Sequence, residues 1–269
     1  MPVALTIAGS DPGGGAGIQA DLKTFHRFGV YGTAVVTLIT VQNTVRMSRV
    51  ETLDAALVAE QIDAVFEDLP PQAVKTGALG TAAIIDAIVD SFADASATRR
   101  LAFPLVVDPV MLSSHGPALA DASAAAALQR LIGQAALVTP NLAEAARLAG
   151  IEVATTQDMR EAARRIAALG ARAVLVKGGH LSQGQDAIDI LWCGGRFTEY
   201  ASPRILTRHT HGTGCTYSAA ITALLARGVA IEEAVRRAKR FIDAAIATSP
   251  GLGRGAGPLN HWADDAGSL

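Results

Sequence analysis

Short runs that are apolar at nearly every position recur along this chain, and most are followed by a stretch of helical periodicity. The runs fall at 2–9, 34–41, 73–75, 104–108, 136–139 and 173–177, with helical stretches at roughly 17–29, 54–68, 81–97, 119–133, 142–149 and 158–169. A strand that is apolar throughout, rather than at alternate positions, belongs in a sheet covered on both faces. The run 34–41 is the strongest of them and is expected to be buried on both sides. Strand–helix alternation of this kind means βαβ crossovers, hence an α/β fold with a central, mostly parallel sheet. Two features close the pattern. Segments 187–193 and 196–200 flank Gly194-Gly195 and read as a hairpin at the sheet's edge. Two helices, at about 215–227 and 231–248, follow.

The material for such a sheet is present: 50% of the 269 residues are hydrophobic but only 4% aromatic, so the core is aliphatic and alanine-rich. With no internal repeat, linker or composition break, residues 1–269 read as one domain. A net charge of −2 without a basic block gives nucleic acid no electrostatic footprint. No apolar run approaches the length of a membrane span and no signal pattern precedes the first strand, so a soluble cytoplasmic protein is expected. Cys193 and Cys215 form neither a disulfide framework nor a metal cluster.

Ligands of parallel sheets collect at the carboxyl ends of the strands. Polar residues gather there repeatedly: Asp11, Gln42-Asn43, Asp108, Asn141 and Lys177-Gly178-Gly179. The most suggestive stretch is His211-Gly212-Thr213-Gly214-Cys215-Thr216, immediately before an apolar helix. Small residues leading into a helix N-terminus offer free amides to an anion, most simply a phosphate. Cys215 places a thiol at the same positive end, where its pKa is expected to fall. A glycine turn before a buried small hydrophobe is the competing reading, and the motif alone leaves the two level.

Other residues carry similar pairs of readings. Asp21 falls inside the apolar stripe Ile18, Leu22, Phe25 and Phe28, where a carboxylate needs a partner or a cleft. It either contacts a ligand or reaches solvent or an amide from the stripe's margin. Gln42 can read the edge of an aminopyrimidine or pyridine, or satisfy loop backbone. Asp108 and Glu144 could hold Mg2+, although Glu144 equally suits the first turn of a helix. Lys177 could neutralise phosphate charge. Lys239 could do likewise or be a snorkelling stem. No P-loop, dinucleotide fingerprint, metalloprotease spacing or nucleophile elbow is present.

These motifs together resemble the ribokinase-like superfamily, and within it the bacterial hydroxymethylpyrimidine/phosphomethylpyrimidine kinases of thiamine biosynthesis. The resemblance runs nearly end to end. It is carried by 5–12, Gly14-Gly15-Ala16-Gly17-Ile18-Gln19-Ala20-Asp21-Leu22-Lys23-Thr24, Gln42-Asn43-Thr44, Val107-Asp108-Pro109-Val110-Met111 and Thr139-Pro140-Asn141. Lys177-Gly178-Gly179-His180, 211–216 and Gly253-x-Gly255-x-Gly257-Pro258 complete it. The resemblance implies a ribokinase-like three-layer α/β/α sandwich. It implies an ATP- and Mg2+-dependent kinase acting on 4-amino-5-hydroxymethyl-2-methylpyrimidine and then on its monophosphate.

By that resemblance Gln42 would bond the aminopyrimidine, with Asp21, Gly9, Ala78 and Val110 framing it. The amides of Gly212, Thr213, Gly214 and Cys215 would form the anion hole, with Cys215 as the base. Asp108 and Glu144 would hold the metal, and Asn141, Lys177 and Lys239 the nucleotide phosphates. A homodimer and a lid at 113–118 are also expected. The chain departs from the family at one place. Relatives commonly carry Lys-Ile-Gly-Met-Leu where this chain has Lys75-Thr76-Gly77-Ala78-Leu79. Ala78 should leave a roomier pocket, which keeps open a pyridoxal-type kinase. A catalytically silent pyrimidine-binding protein and, more remotely, a flavin or nicotinamide oxidoreductase are the readings from other classes.

Overall fold

A computed structural model describes residues 1–98, 102–110, 122–179, 181 and 186–264. Nine strands form one sheet: β1 (Val3–Ser10), β2 (Tyr31–Gln42), β3 (Met47–Thr52), β4 (Ala73–Thr76), β5 (Leu105–Val107), β6 (Leu137–Val138), β7 (Ala173–Gly178), β8 (Asp186–Cys193) and β9 (Arg196–Pro203). Their order is β3-β2-β1-β4-β5-β6-β7-β8-β9. Pairings from β2 through β7 are parallel, and the three outermost ones, β2–β3, β7–β8 and β8–β9, are antiparallel.

The helices among the described residues are α1 (Gly17–Arg27), α2 (Ala55–Asp68), α3 (Ala82–Thr98), α4 (Ala122–Gly133), α5 (Leu142–Ala149), α6 (Thr156–Ala167), α7 (Thr213–Ala226) and α8 (Ile231–Ala247). They cover both faces. Leu5, Ile7, Val74, Val174 and Val176 pack toward α2–α6, whereas Ala4, Ala73, Ala173 and Leu175 pack toward α1, α7 and α8. Neighbouring residues of each strand thus enter opposite cores, which is why the runs are apolar throughout. The second face carries more alanine, and α7 presses close against it. Every residue of α7 from Thr216 to Ala226 is buried.

The layered α/β architecture and the edge hairpin agree with expectation. The reading of 34–41 does not hold along its whole length. Ile39 and Val41 are 48% and 54% exposed, because β2 outruns β1, whose pairing ends at Ser10–Ile39, and beyond that point it pairs only with β3. The sequence reading missed β3 because Met47–Thr52 has no buried side chain, and hence no apolar pattern to betray it. No helix among the described residues is long and apolar enough to cross a membrane. The expected lid at 113–118, Met111, His180 and the start of the helix expected at 119 lie outside the described residues.

Candidate functional site

A cavity of about 860 Å³ opens along the carboxyl ends of the parallel strands. Of the substrate, phosphate, metal and catalytic residues expected from sequence, Asp21 alone does not line it. Gly9, Gln42, Ala78 and Val110 stand in one part of its wall, the 212–215 loop at its middle, and Asn141, Glu144, Lys177 and Lys239 farther along. Asp21 is fully buried below, where its Oδ2 lies 2.9 Å from Lys75 Nζ and accepts from Thr6 Oγ1 at 2.6 Å. A carboxylate in the middle of an apolar stripe met its cost with an ion pair rather than with a ligand. The expected substrate contact is therefore corrected.

The loop before α7 is held by close backbone approach. Gly212 has φ +81°, and a Cβ there would stand 1.7 Å from the Gly15 carbonyl oxygen, so only glycine fits. Helix α7 has no side-chain cap. The Thr213 amide and hydroxyl both bond the Thr210 carbonyl, at 3.2 and 2.7 Å. That removes the Thr213 amide from the expected cradle. The amides of Gly214 and Cys215 have no acceptor among the described residues and remain for an anion. Lys177 supplies the matching charge, its Nζ lying 3.2 Å from where a Cβ on Gly214 would be.

Cys215 is half-buried beside these amides. Burial pushes its thiol up to about 11; Lys75 and the Gly17 amide pull the other way, and Asp21 and Asp108 reinforce the rise. The helix terminus does not win here, contrary to the sequence expectation. Desolvation of the thiolate, with two carboxylates close by, outweighs the dipole. Cys215 rests as a thiol.

Asp108, at the end of β5, accepts from Lys177 Nζ at 2.9 Å, Thr139 Oγ1 at 3.1 Å and Ser218 Oγ at 3.3 Å. Burial raises its pKa, but Lys177 and Lys75 more than compensate and hold it below the usual carboxylate range. Ser218, one turn into α7, gave no sequence signal. Glu144 forms a reciprocal capping box with Asn141, at 2.8 and 2.9 Å, as its bland reading expected. It nevertheless lines the cavity, and burial followed by repulsion from Asp108 lifts it to about 7, despite Lys177. An under-compensated carboxylate near a second one fits a hard divalent cation, which takes one or two carboxylates and completes its shell with water and phosphate. No three of His, Cys, Asp and Glu among the described residues form an all-protein cage.

Lys239 is neither a free phosphate ligand nor a solvent-reaching stem. It is nearly buried, 3.2 Å from Asp189 Oδ2, 3.7 Å from Asp243 Oδ1 and 3.3 Å from the Ala187 carbonyl. Opposite, His211 joins Asp11 and Gln42, and Gly253 and Gly255 of the tail pack on Thr44 of the β2–β3 turn. The closing glycines act by proximity: a Cβ on Gly255 would stand 2.0 Å from the Thr44 carbonyl oxygen.

Residues 11–260 match the family model described as phosphomethylpyrimidine kinase. The chain is 49% identical over 264 residues to a hydroxymethylpyrimidine/phosphomethylpyrimidine kinase of Rhizobium meliloti, covering 97% of each. It is 52% identical over 258 residues to the thiamine biosynthesis bifunctional protein ThiED of Geobacter sulfurreducens, covering 96% of this chain but 51% of that protein. The pyridoxal kinase from Staphylococcus aureus, solved with AMP-PCP and pyridoxal, superposes with a TM-score of 0.88 at 34% identity, over 98% of this chain and 94% of that one.

Proposed function

Because the chain belongs to the phosphomethylpyrimidine kinase family and has its ribokinase-like fold, we propose that it transfers phosphate from ATP to 4-amino-5-hydroxymethyl-2-methylpyrimidine and then to the resulting monophosphate. Residues 1–269 work as one kinase unit in this reading. The observation that carries it is the single cavity holding Gln42 in one part of its wall, free amides and Lys177 around Cys215, and the Asp108–Glu144 pair beyond.

Gln42 bonds the ring edge, with Gly9, Ala78 and Val110 beside it. The amides of Gly214 and Cys215 and the Lys177 ammonium stabilise charge on the transferring phosphoryl group. Asn141 orients the nucleotide side. Lys239 supports it through Asp189 and Asp243. Asp108 and Glu144 hold Mg2+, which when bound neutralises phosphate charge. In the first step the hydroxymethyl oxygen attacks the γ-phosphorus, the bond to the β-phosphate oxygen breaks, and the hydroxyl proton passes to the Cys215 thiolate, the minor form of a group that rests as a thiol. The second acceptor is a phosphate monoester with a second pKa near 6, already anionic at neutral pH. Positioning and charge stabilisation carry that step. Homodimerisation and a cytoplasmic location belong to the same reading.

A pyridoxal-type acceptor is the second reading, favoured by Ala78, which leaves the cavity wall short where relatives carry methionine. Incubation with Mg2+-ATP and the hydroxymethylpyrimidine, with products resolved by mass, separates the two. Monophosphate followed by pyrophosphate supports the first reading. Phosphorylation of pyridoxine alone, run in parallel, replaces it by the second.

A further inference from the structure

Three side chains meet at one imidazole nitrogen. His211 Nε2 lies 2.8 Å from Asp11 Oδ2 and 3.1 Å from the Gln42 side-chain nitrogen. Asp11 also accepts from the backbone amides of Gly13 at 2.8 Å, Gly15 at 3.1 Å and Ala16 at 2.9 Å. A carboxyl group ringed by three N–H donors is a carboxylate and has no hydrogen to give. Burial raises the Asp11 pKa, but the bonds from His211 and Gly13 outweigh it and hold the group below its usual range. The hydrogen in the 2.8 Å contact therefore sits on His211 Nε2.

A protonated ring nitrogen has no lone pair, so it cannot accept from an amide NH2 group. The amide oxygen and nitrogen of glutamine are nearly the same shape, and hydrogen bonding decides which is which. Turning the Gln42 amide over places Oε1 on the imidazole N–H, which then serves Asp11 and Gln42 together. The NH2 group takes the other position. Gln42 lines the cavity, and its remaining terminal atom meets no protein group among the described residues.

We propose that His211, anchored by Asp11, is a positioning residue for acceptor specificity: it turns Gln42 so that its NH2 group donates into the cavity and selects a ring with a lone-pair nitrogen there. The inference rests on the pyrimidine kinase reading and adds which atom of the acceptor is tested. An aminopyrimidine offers such a nitrogen beside its amino-bearing carbon, whereas a ring with C–H at that position does not. The imidazole is not free to retreat. Its backbone N–H donates to the Gly257 carbonyl at 3.1 Å, and a Cβ on Gly15 would stand 2.6 Å from its Cδ2.

The test compares the hydroxymethylpyrimidine with its analogue carrying C–H in place of the ring nitrogen next to the amino-bearing carbon. The wild-type chain should show a KM about tenfold or more higher for the analogue, with kcat changed less than about threefold. In His211→Ala that discrimination should fall below about threefold. His211→Gln should restore it, because a second amide has two hydrogens, one for Asp11 and one for Gln42. Nitrogen-15 NMR of the unaltered chain should place the His211 ring hydrogen on Nε2, and a hydrogen found only on Nδ1 overturns the proposal without any variant. Equal KM values in the wild type, or full discrimination in a folded His211→Ala, overturn it as well. If the wild type turns over neither ring, the kinase reading fails and takes this inference with it; turnover of both rings without discrimination removes the inference alone.

Discussion

Lys75 Nζ stands 2.9 Å from Asp21 Oδ2 under the cavity, and neither side chain has any exposed surface. The ammonium lies 3.1 Å from where a Cβ on Gly77, a cavity-lining residue, would be. Asp21 Oδ1 has no hydrogen-bond partner among the described residues. Two charges taken out of water are each tolerated only because the other is present. Removing one partner of such a pair costs about 3–5 kcal/mol, while replacing both by apolar groups costs far less. Asp21→Leu and Lys75→Met should each lower the unfolding free energy by about that amount in urea titration. The double variant should lose clearly less than the two single losses added together. Additive losses would show the pair to be independent of each other.

The thiol of Cys215 titrates upward, to about 11, so its thiolate population rises tenfold per pH unit through the neutral range. Alkylation of Cys215 by iodoacetamide should be roughly 100-fold faster at pH 9 than at pH 7. The rate should not level off below about pH 10. A plateau near pH 7–8 would mean that the helix terminus controls the thiol after all.

Cys215→Ala should slow phosphorylation of the alcohol by about 100-fold or more, the usual worth of a general base. Phosphorylation of the monophosphate should fall by less than about tenfold, because that acceptor needs no base. Single-turnover assays with each acceptor report the two numbers separately. Equal losses assign Cys215 to the anion cradle only.

Gly212 and Gly214 are glycines for different reasons. Gly212→Ala forces a Cβ against the Gly15 carbonyl at positive φ and should lower thermal stability as well as activity. Gly214→Ala has no such strain but intrudes beside Lys177, in the space where we propose the phosphoryl group is held. It should keep the melting temperature within a few degrees and lose about 10- to 100-fold in kcat. Thermal melts alongside steady-state kinetics distinguish the cases, and matching losses of stability in both variants would contradict the assignment.

Ala78 faces the cavity, and its carbonyl is tied to Thr37 Oγ1 at 2.7 Å, so its backbone position is fixed. Ala78→Met should therefore fill space rather than shift the loop. The ratio of kcat/KM for pyrimidine over pyridoxine should rise by about 10-fold, the scale of a filled hydrophobic pocket. An unchanged ratio would place acceptor selection elsewhere.

The layered fold could be read from the sequence because strands buried on both faces write an unbroken apolar run. The same logic fails at the rim of the sheet. Met47–Thr52 pairs through its backbone and leaves no side-chain pattern, and the far half of β2 keeps an apolar composition while losing its cover. The polar groups proposed to carry the chemistry were mostly legible as residues at strand ends or in the loop before a helix. The partners of those residues were not. Asp21 with Lys75 joins positions 54 apart, His211 with Asp11 positions 200 apart, and Ser218 with Asp108 positions 110 apart. Linear spacing carries no trace of such pairs. The sense of the Cys215 shift was equally hidden, since it depends on carboxylates that only the tertiary structure brings near.

The bridge between His211 and Pro258, and the packing of Gly253 and Gly255 onto Thr44, close the Gln42 end of the cavity with late segments of the chain. During synthesis the first strands and helices leave the ribosome well before these residues do. The backbones at Gly15 and Thr44 are packed by Gly212 and Gly255, which arrive some 200 residues later. A nascent chain can thus bury much of its sheet while the Gln42 end of its cavity is still open on one side. Completion of this end of the cavity waits for Gly253 and the residues after it, long after the strands that form its floor.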